Sequence, residues 1–152
     1  YGERMGHVMV IDIGKCGSKS WQAEGLKNAV TRHPGVNFVI CHLLAPNGKQ
    51  EEELKRALEG LALPNVWFDL ASVPHNCMDA SEPWKRAGAY VRLARDLVGA
   101  DKLLFGTDMP SALKEAPYGD YVRWIREMEG LNDAEREQIL YQNAAKVYAG
   151  LS

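Results

Sequence analysis

Phe38-Val39-Ile40-Cys41-His42-Leu43-Leu44 is the stretch whose reading decides the fold. The apolar run Val36–Cys41 ends at a polar, chemically capable side chain, His42, and turn residues and a helix-like stretch follow. The same plan recurs upstream in Val8–Ile13 with Asp12, and downstream in Val66–Leu70 with Asp69 and Ser72 and in Leu103–Phe105 with Thr107 and Asp108. A strand apolar on both faces must be covered by helices on both sides or closed into a barrel, which is parallel α/β architecture. Chemistry in such folds sits at the carboxyl ends of the strands, where these polar residues fall.

The segments between the runs read as helices. Trp21, Leu26, Ala29 and Val30 lie near helical spacing and predict a helix to about Arg32, stopped by His33-Pro34-Gly35. Over Gln50–Leu61, Leu54, Ala57, Leu58 and Leu61 share one face, and Glu51–Glu53 favour the helix start through the macrodipole. Pro83–Val98 carries an apolar stripe of Trp84, Ala87, Val91, Ala94 and Val98 with proline at its first position. Tyr118–Met128 repeats the pattern, and Asn132 and Glu135 have capping-box spacing at the start of a last helix that Gly150 stops. Four strand–helix units of about 38 residues each make half of a (β/α)8 barrel, whose usual span is roughly 250 to 300 residues.

Composition narrows the function classes. With 152 residues, 46% of them hydrophobic, the chain has the size of one domain, residues 1–152, and buries a real core. A net charge of -2 with both signs interspersed offers no footprint for nucleic acid or an anionic membrane. No apolar run approaches the roughly 20 residues that cross a bilayer, and the first residues lack the core of a secretory signal, so a soluble, cytoplasmic protein is expected. Cys16, Cys41 and Cys77, an odd number at no metal-finger spacing, read as free thiols. The chain begins at Tyr1 and enters its first strand by His7, which suggests a native start further upstream.

Three residues carry the candidate chemistry. Asp108, in Phe105-Gly106-Thr107-Asp108-Met109-Pro110, can bind a metal or take a proton from a metal-bound water, or it can cap the helical turn that follows. Gly106 there permits close backbone approach. His42 points into a core, where its ring nitrogens need partners, or into a pocket, where it is a ligand or proton shuttle. Asp12, at the end of a strand that reads as buried, needs a cation, a hydrogen-bond network or a proton; its alternative is to accept backbone N–H groups of the Gly14–Ser18 loop. That loop is not a P-loop, because two residues rather than four separate its glycines and Ser18 intervenes before Lys19-Ser20. His75-Asn76-Cys77 lies in an irregular loop and reads as loop polarity rather than a metal or nucleophile cluster.

The strand ending in His42, the Asn65-Val66-Trp67-Phe68-Asp69 strand, the segment Gly99–Pro110 and the closing Asn143-Ala144 together resemble the carboxyl-terminal half of the amidohydrolase-related family, the branch with aminocarboxymuconate-semialdehyde-decarboxylase-like enzymes. The resemblance implies the last four βα units of a TIM-type (β/α)8 barrel. It implies hydrolysis or non-oxidative decarboxylation of a small carboxylate, lactone or amide. It also implies a divalent metal, commonly zinc, with manganese or no metal as alternatives. On it, Asp108 is the last-strand metal ligand or general base and His42 contacts substrate or activated water. Asp12 stands where many relatives carry a metal-binding histidine, and the paired first-strand histidines have no counterpart here. The expectation is an enzyme for a small-molecule substrate in which a metal held partly by Asp12 and Asp108 activates water, Asp108 manages its proton and His42 polarises the substrate. The alternative is a non-catalytic α/β module that binds an anion or pairs with another half-barrel, as a homo-oligomer for example, through its open edges.

Overall fold

A computed structural model of the chain describes residues 6–48 and 50–149. Four strands, β1 (Val8–Ile11), β2 (Asn37–Ile40), β3 (Val66–Asp69) and β4 (Leu103–Leu104), form one sheet in sequence order, every pair parallel. Helices α1 (Ala23–Arg32), α2 (Glu51–Gly60) and α3 (Pro83–Val98) connect them, and α4 (Tyr118–Arg126), α5 (Asp133–Glu137) and α6 (Asn143–Tyr148) follow β4. This is the expected α/β plan of successive βα units. No helix among the described residues is long and apolar enough to cross a membrane.

Register sorts the strand residues between two faces, because residues paired across a parallel ladder point the same way. Phe38 pairs with Val66, Ile40 with Phe68 and Phe68 with Leu103. This face meets Leu26, Val30, Leu54, Leu58, Ala87, Val91 and Ile125 of the helices in the main core. Each such side chain contributes about 1.5–3 kcal/mol when fully buried. On the other face Val39, Trp67 and Leu104 pack with Val147 of α6, with Val8 and Ala144 at the margin. Two buried asparagines fasten the strand entrances. The Asn65 amide donates to the carbonyls of Val30, His33 and Val36, and the Asn143 amide donates to those of Ala100 and Leu103 at 2.8 and 2.7 Å. Both satisfy carbonyls at the ends of regular structure that would otherwise be buried without a donor.

The structure departs from expectation in three elements. β1 ends at Ile11 rather than Ile13, and Met9 and Val10 are 46% and 55% exposed, although the run reads as covered on both faces. Among the described residues β1 pairs only with β2, and an edge strand has neighbours on one side alone. Trp21 stands outside α1, held in a turn by its N–H to the Ser18 carbonyl, and Ala29 is exposed. The last helix has the expected capping box at Asn132 and Glu135 but is interrupted by a π-helical turn, Gln138–Gln142. Within that turn the Ile139 carbonyl accepts the Phe105 N–H at 2.8 Å, so the turn satisfies the chain just beyond β4. Gly150, the expected helix stop, lies outside the described residues.

Candidate active site at the carboxyl ends of the strands

The backbone is unusual where the strands end. After β2, His42, Leu43, Leu44 and Ala45 hold φ of 59, 50, 63 and 50°, four successive left-handed residues without a glycine. Each costs roughly 1–2 kcal/mol relative to an ordinary conformation. The cost is offset by complete burial of Leu43 and Leu44, by the Ala45 N–H to the His42 carbonyl at 2.8 Å, and by the Cys16 N–H to the Ala45 carbonyl at 3.1 Å. Ser72 after β3 and Asp108 after β4 are also left-handed, with φ of 55 and 63°. Such strain concentrates at functional sites, where the surrounding structure holds it.

The turn fixes His42 in one tautomer. Its Nδ1 lies 2.9 Å from the Ala71 carbonyl, which only accepts, so Nδ1 carries the proton and Nε2 presents a lone pair. Nε2 is 3.9 Å from Asp12 Oδ2. Asp12 is more exposed than its place in the sequence suggests, at 58% for the side chain, and its Oδ1 accepts the Gly14 N–H at 2.7 Å. The carboxylate therefore closes its own loop with one oxygen and faces His42 with the other.

Asp69 is the member that sequence reasoning named at a strand end but gave no role. Its Oδ1 accepts the N–H groups of His42 and Ala71 at 2.9 and 3.0 Å, and so pins both the entrance to the left-handed turn and the residue whose carbonyl orients the His42 ring. Burial raises its pKa against the lowering effect of those N–H groups and of His42. The neighbouring Cys41 thiol donates to Asp69, and burial, then the charges of Asp69, Asp12 and Asp108, push it up to about 12. Cys41 is a neutral donor in this setting rather than a nucleophile.

Asp108 is exposed, and its Oδ2 accepts the Ser72 hydroxyl at 2.6 Å, which fixes the plane of the carboxylate and leaves Oδ1 for a ligand. Gly106 gives the expected close approach: a Cβ there would lie 3.0 Å from the Ala71 Cβ and 3.2 Å from the Ala71 nitrogen. His42 and Asp12 are thus brought together, while Asp108 pairs with Ser72 instead of sharing a contact with Asp12. Polar residues just after buried runs were the available signal for Asp69 and Ser72; their partners lie 27 and 36 residues away.

Asp12 and His42 offer an oxygen and a nitrogen donor, a chemistry suited to zinc, but among the described residues no group of three or more His, Cys, Asp or Glu can hold a metal ion. Zinc takes three or four protein ligands, so the donors present do not build a centre by themselves.

A half-barrel of parallel βα units with its ionisable groups gathered beyond the strand ends is the architecture of TIM-barrel enzymes. The chain belongs to the amidohydrolase family, whose model matches residues 7–150. It is 31% identical over 102 residues to an L-fucono-1,5-lactonase of Burkholderia ambifaria, a match covering 62% of this chain and 33% of the lactonase. In fold it is similar to an amidohydrolase of Burkholderia multivorans solved with bound zinc, with a TM-score of 0.83, 21% identity and coverage of 97% of this chain and 54% of that one. A 5-carboxyvanillate decarboxylase of Sphingomonas paucimobilis shares the fold with a TM-score of 0.59 and 15% identity, over 97% of this chain and 50% of that one. The chain therefore spans about a third to a half of the length of these relatives.

Proposed function

We propose that this chain carries part of the active site of a hydrolase that opens a small lactone, with a related ester or amide as the wider substrate class. The observation that carries the reading is the fixed His42 tautomer, with Nε2 3.9 Å from Asp12, at the same end of the sheet as a carboxylate, Asp108, oriented by Ser72. The match to a lactonase favours lactone opening over decarboxylation.

In this reading Asp108 Oδ1 accepts the proton of the attacking water and returns it to the leaving alkoxide. Neutral His42 accepts a hydrogen bond at Nε2 from the attacking water or a substrate hydroxyl, with Asp12 Oδ2 3.9 Å away. Asp69 touches no substrate and acts by holding His42 and Ala71. A divalent ion, completed by donors from outside the described residues, would supply a water of lowered pKa. Hydrolysis of δ-lactones followed by proton release tests this. A general base contributes typically 10²–10⁴-fold, so Asp108→Asn is expected to lower kcat by at least about 100-fold, and unchanged turnover removes the reading.

The exposed edge of β1 favours a second statement, about assembly. We propose that the four units are closed by four more, from elsewhere in a longer chain or from a second copy. Light scattering of the isolated chain would show a dimer for the second case.

A further inference from the structure

Two side-chain bonds join the loop after β3 to the segment after β4. One is the Ser72 hydroxyl on Asp108 Oδ2 at 2.6 Å, and the other is His75 Nδ1 on Glu115 Oε1. Ser72 and His75 share one turn of the first loop, closed by the Asn76 N–H on the Ser72 carbonyl at 2.9 Å. Asp108 and Glu115 are linked through Ala112, whose N–H donates to the Asp108 carbonyl at 3.2 Å and whose carbonyl accepts the Glu115 N–H at 3.1 Å. The contacts therefore close into a ring that runs from Asp108 through Ser72, His75, Glu115 and Ala112 back to Asp108.

Glu115 is not an ordinary surface partner. Its side chain is 18% exposed, and its second oxygen, Oε2, accepts the Tyr121 hydroxyl at 3.4 Å. The same hydroxyl reaches the Ala112 carbonyl at 3.3 Å. Burial, then the charge of Glu115, pushes the Tyr121 hydroxyl up to about 12, so it stays a donor. Tyr121 is buried in a small core with Ala112 and Ala116, and its ring centroid lies 4.9 Å from that of Trp84 in α3. Exposed ion pairs contribute little because two mobile side chains must be ordered in water. Here a buried phenol already orders one of the two.

We infer that the His75–Glu115 pair is a latch that positions the Asp108 carboxylate, acting through Ser72. The inference rests on the hydrolase reading, in which Asp108 is the base. Asp108 is exposed, so water competes with the Ser72 hydroxyl for its Oδ2. A single hydroxyl between two free loops would hold the carboxylate only part of the time. With His75 fastened to Glu115 the loops are already together, and the Ser72–Asp108 bond forms inside a closed ring whose ordering has been met by the first contact. Members of one such hydrogen-bond network are energetically coupled. Neutral His75 donates from Nδ1, so the latch holds whether or not Nε2 carries a proton. His75 and Glu115 are thus positioning residues, and neither needs to touch the substrate.

The test is the ¹³C NMR signal of the Asp108 carboxyl in the labelled chain at one fixed pH. Ser72→Ala removes the hydroxyl donor and marks the signal of the unheld carboxylate. His75→Ala is expected to move the signal at least about half of the way to that mark, and the double variant no further than Ser72→Ala alone, as coupled members of one network require. His75→Asn keeps a donor where Nδ1 stood and is expected to return the signal most of the way to its original place. A signal unmoved in His75→Ala, or displaced as far in His75→Asn as in His75→Ala, overturns the inference. His75 is exposed, and Glu115→Ala breaks the same pair from the other loop, so the displacement is read there where His75→Ala fails to fold. In δ-lactone hydrolysis His75→Ala is expected to lower kcat about 3- to 10-fold, the value of one hydrogen bond, with KM unchanged. A displaced signal in a chain that hydrolyses no lactone removes the hydrolase reading and keeps the latch; hydrolysis with the Asp108 signal unmoved does the reverse.

Discussion

Asp69→Ala removes the acceptor of two backbone N–H groups, those of His42 and Ala71, at 2.9 and 3.0 Å. Leaving two such donors without a partner costs about 1–3 kcal/mol each. Part of that is returned, because burial already disfavours the Asp69 charge, as its raised pKa shows. The net loss expected is about 2–4 kcal/mol. Asp69→Asn keeps a neutral acceptor in place of a charged one and is expected to lose roughly half as much. Asp12→Ala is the internal control: its side chain is 58% exposed and serves one N–H, that of Gly14, which water replaces, so the loss expected is below about 1 kcal/mol.

Urea unfolding followed by tryptophan fluorescence measures all three, provided that the slope m is unchanged, so that shifts in midpoint report stability. Equal losses in Asp69→Ala and Asp12→Ala would refute the argument that Asp69 holds the left-handed turn. The order Asp69→Ala, Asp69→Asn, Asp12→Ala supports it. An Asp69→Ala variant that stays folded should also lose the single His42 tautomer, visible as a change in the imidazole ¹⁵N shifts.

Asn143→Ala leaves the carbonyls of Ala100 and Leu103 without their buried donor and is expected to cost about 2–4 kcal/mol in the same unfolding assay. The thiols of Cys16, Cys41 and Cys77, raised to about 11, 12 and 11 from 9.0, should resist iodoacetamide at pH 8 in the folded chain and react on unfolding. Because the folded pKa values are raised, the stability these thiols contribute is fully present below pH 9.0 and lost as the pH rises through about 11 to 12, which alkaline unfolding would register. Gly106→Ala places a Cβ 3.0 Å from that of Ala71, whose N–H and carbonyl serve Asp69 and His42. It should cost about 1–3 kcal/mol and lower kcat on the substrate more than it alters KM, whereas full activity would show that Ala71 moves freely.

The parts of the fold legible in the sequence were those with local causes. Pro83–Val98 is helical over the range its stripe and first-position proline define, and the capping box at Asn132 and Glu135 forms as spaced. The left-handed run was not legible, since Leu43, Leu44 and Ala45 have no preference for that conformation. It exists because Asp69, Ala71 and Cys16 grip it from elsewhere in the chain. The π-helical turn was hidden for the same reason: Gln138–Gln142 suits an ordinary helix, and only the Phe105 N–H gives the distortion a purpose. Asp12, His42 and Asp108 could be chosen by their place after apolar runs, but which of them touch depends on register and loop course.

Register also explains why these groups differ so much in environment. Strand residues alternate between faces with a period of two, so Trp67 and Asp69 of β3 project from the same side of the sheet, which their register partners Val39 and Leu104 share. Val39 and Trp67 form an apolar tier that packs with Leu104 and Val147, and Asp69, level with Leu104, sits one step further toward the carboxyl end of β3. An apolar floor beneath the Asp69 carboxylate excludes water on that side, and burial is the largest cause of its raised pKa. Asp12 follows the edge strand β1, whose Val10 is exposed, and its own side chain is 58% exposed. Asp69 is thus a buried anchor within β3, and Asp12, beyond the end of β1, is a solvated partner for His42. The difference in environment follows from position: one carboxylate ends a central strand and the other follows an edge strand.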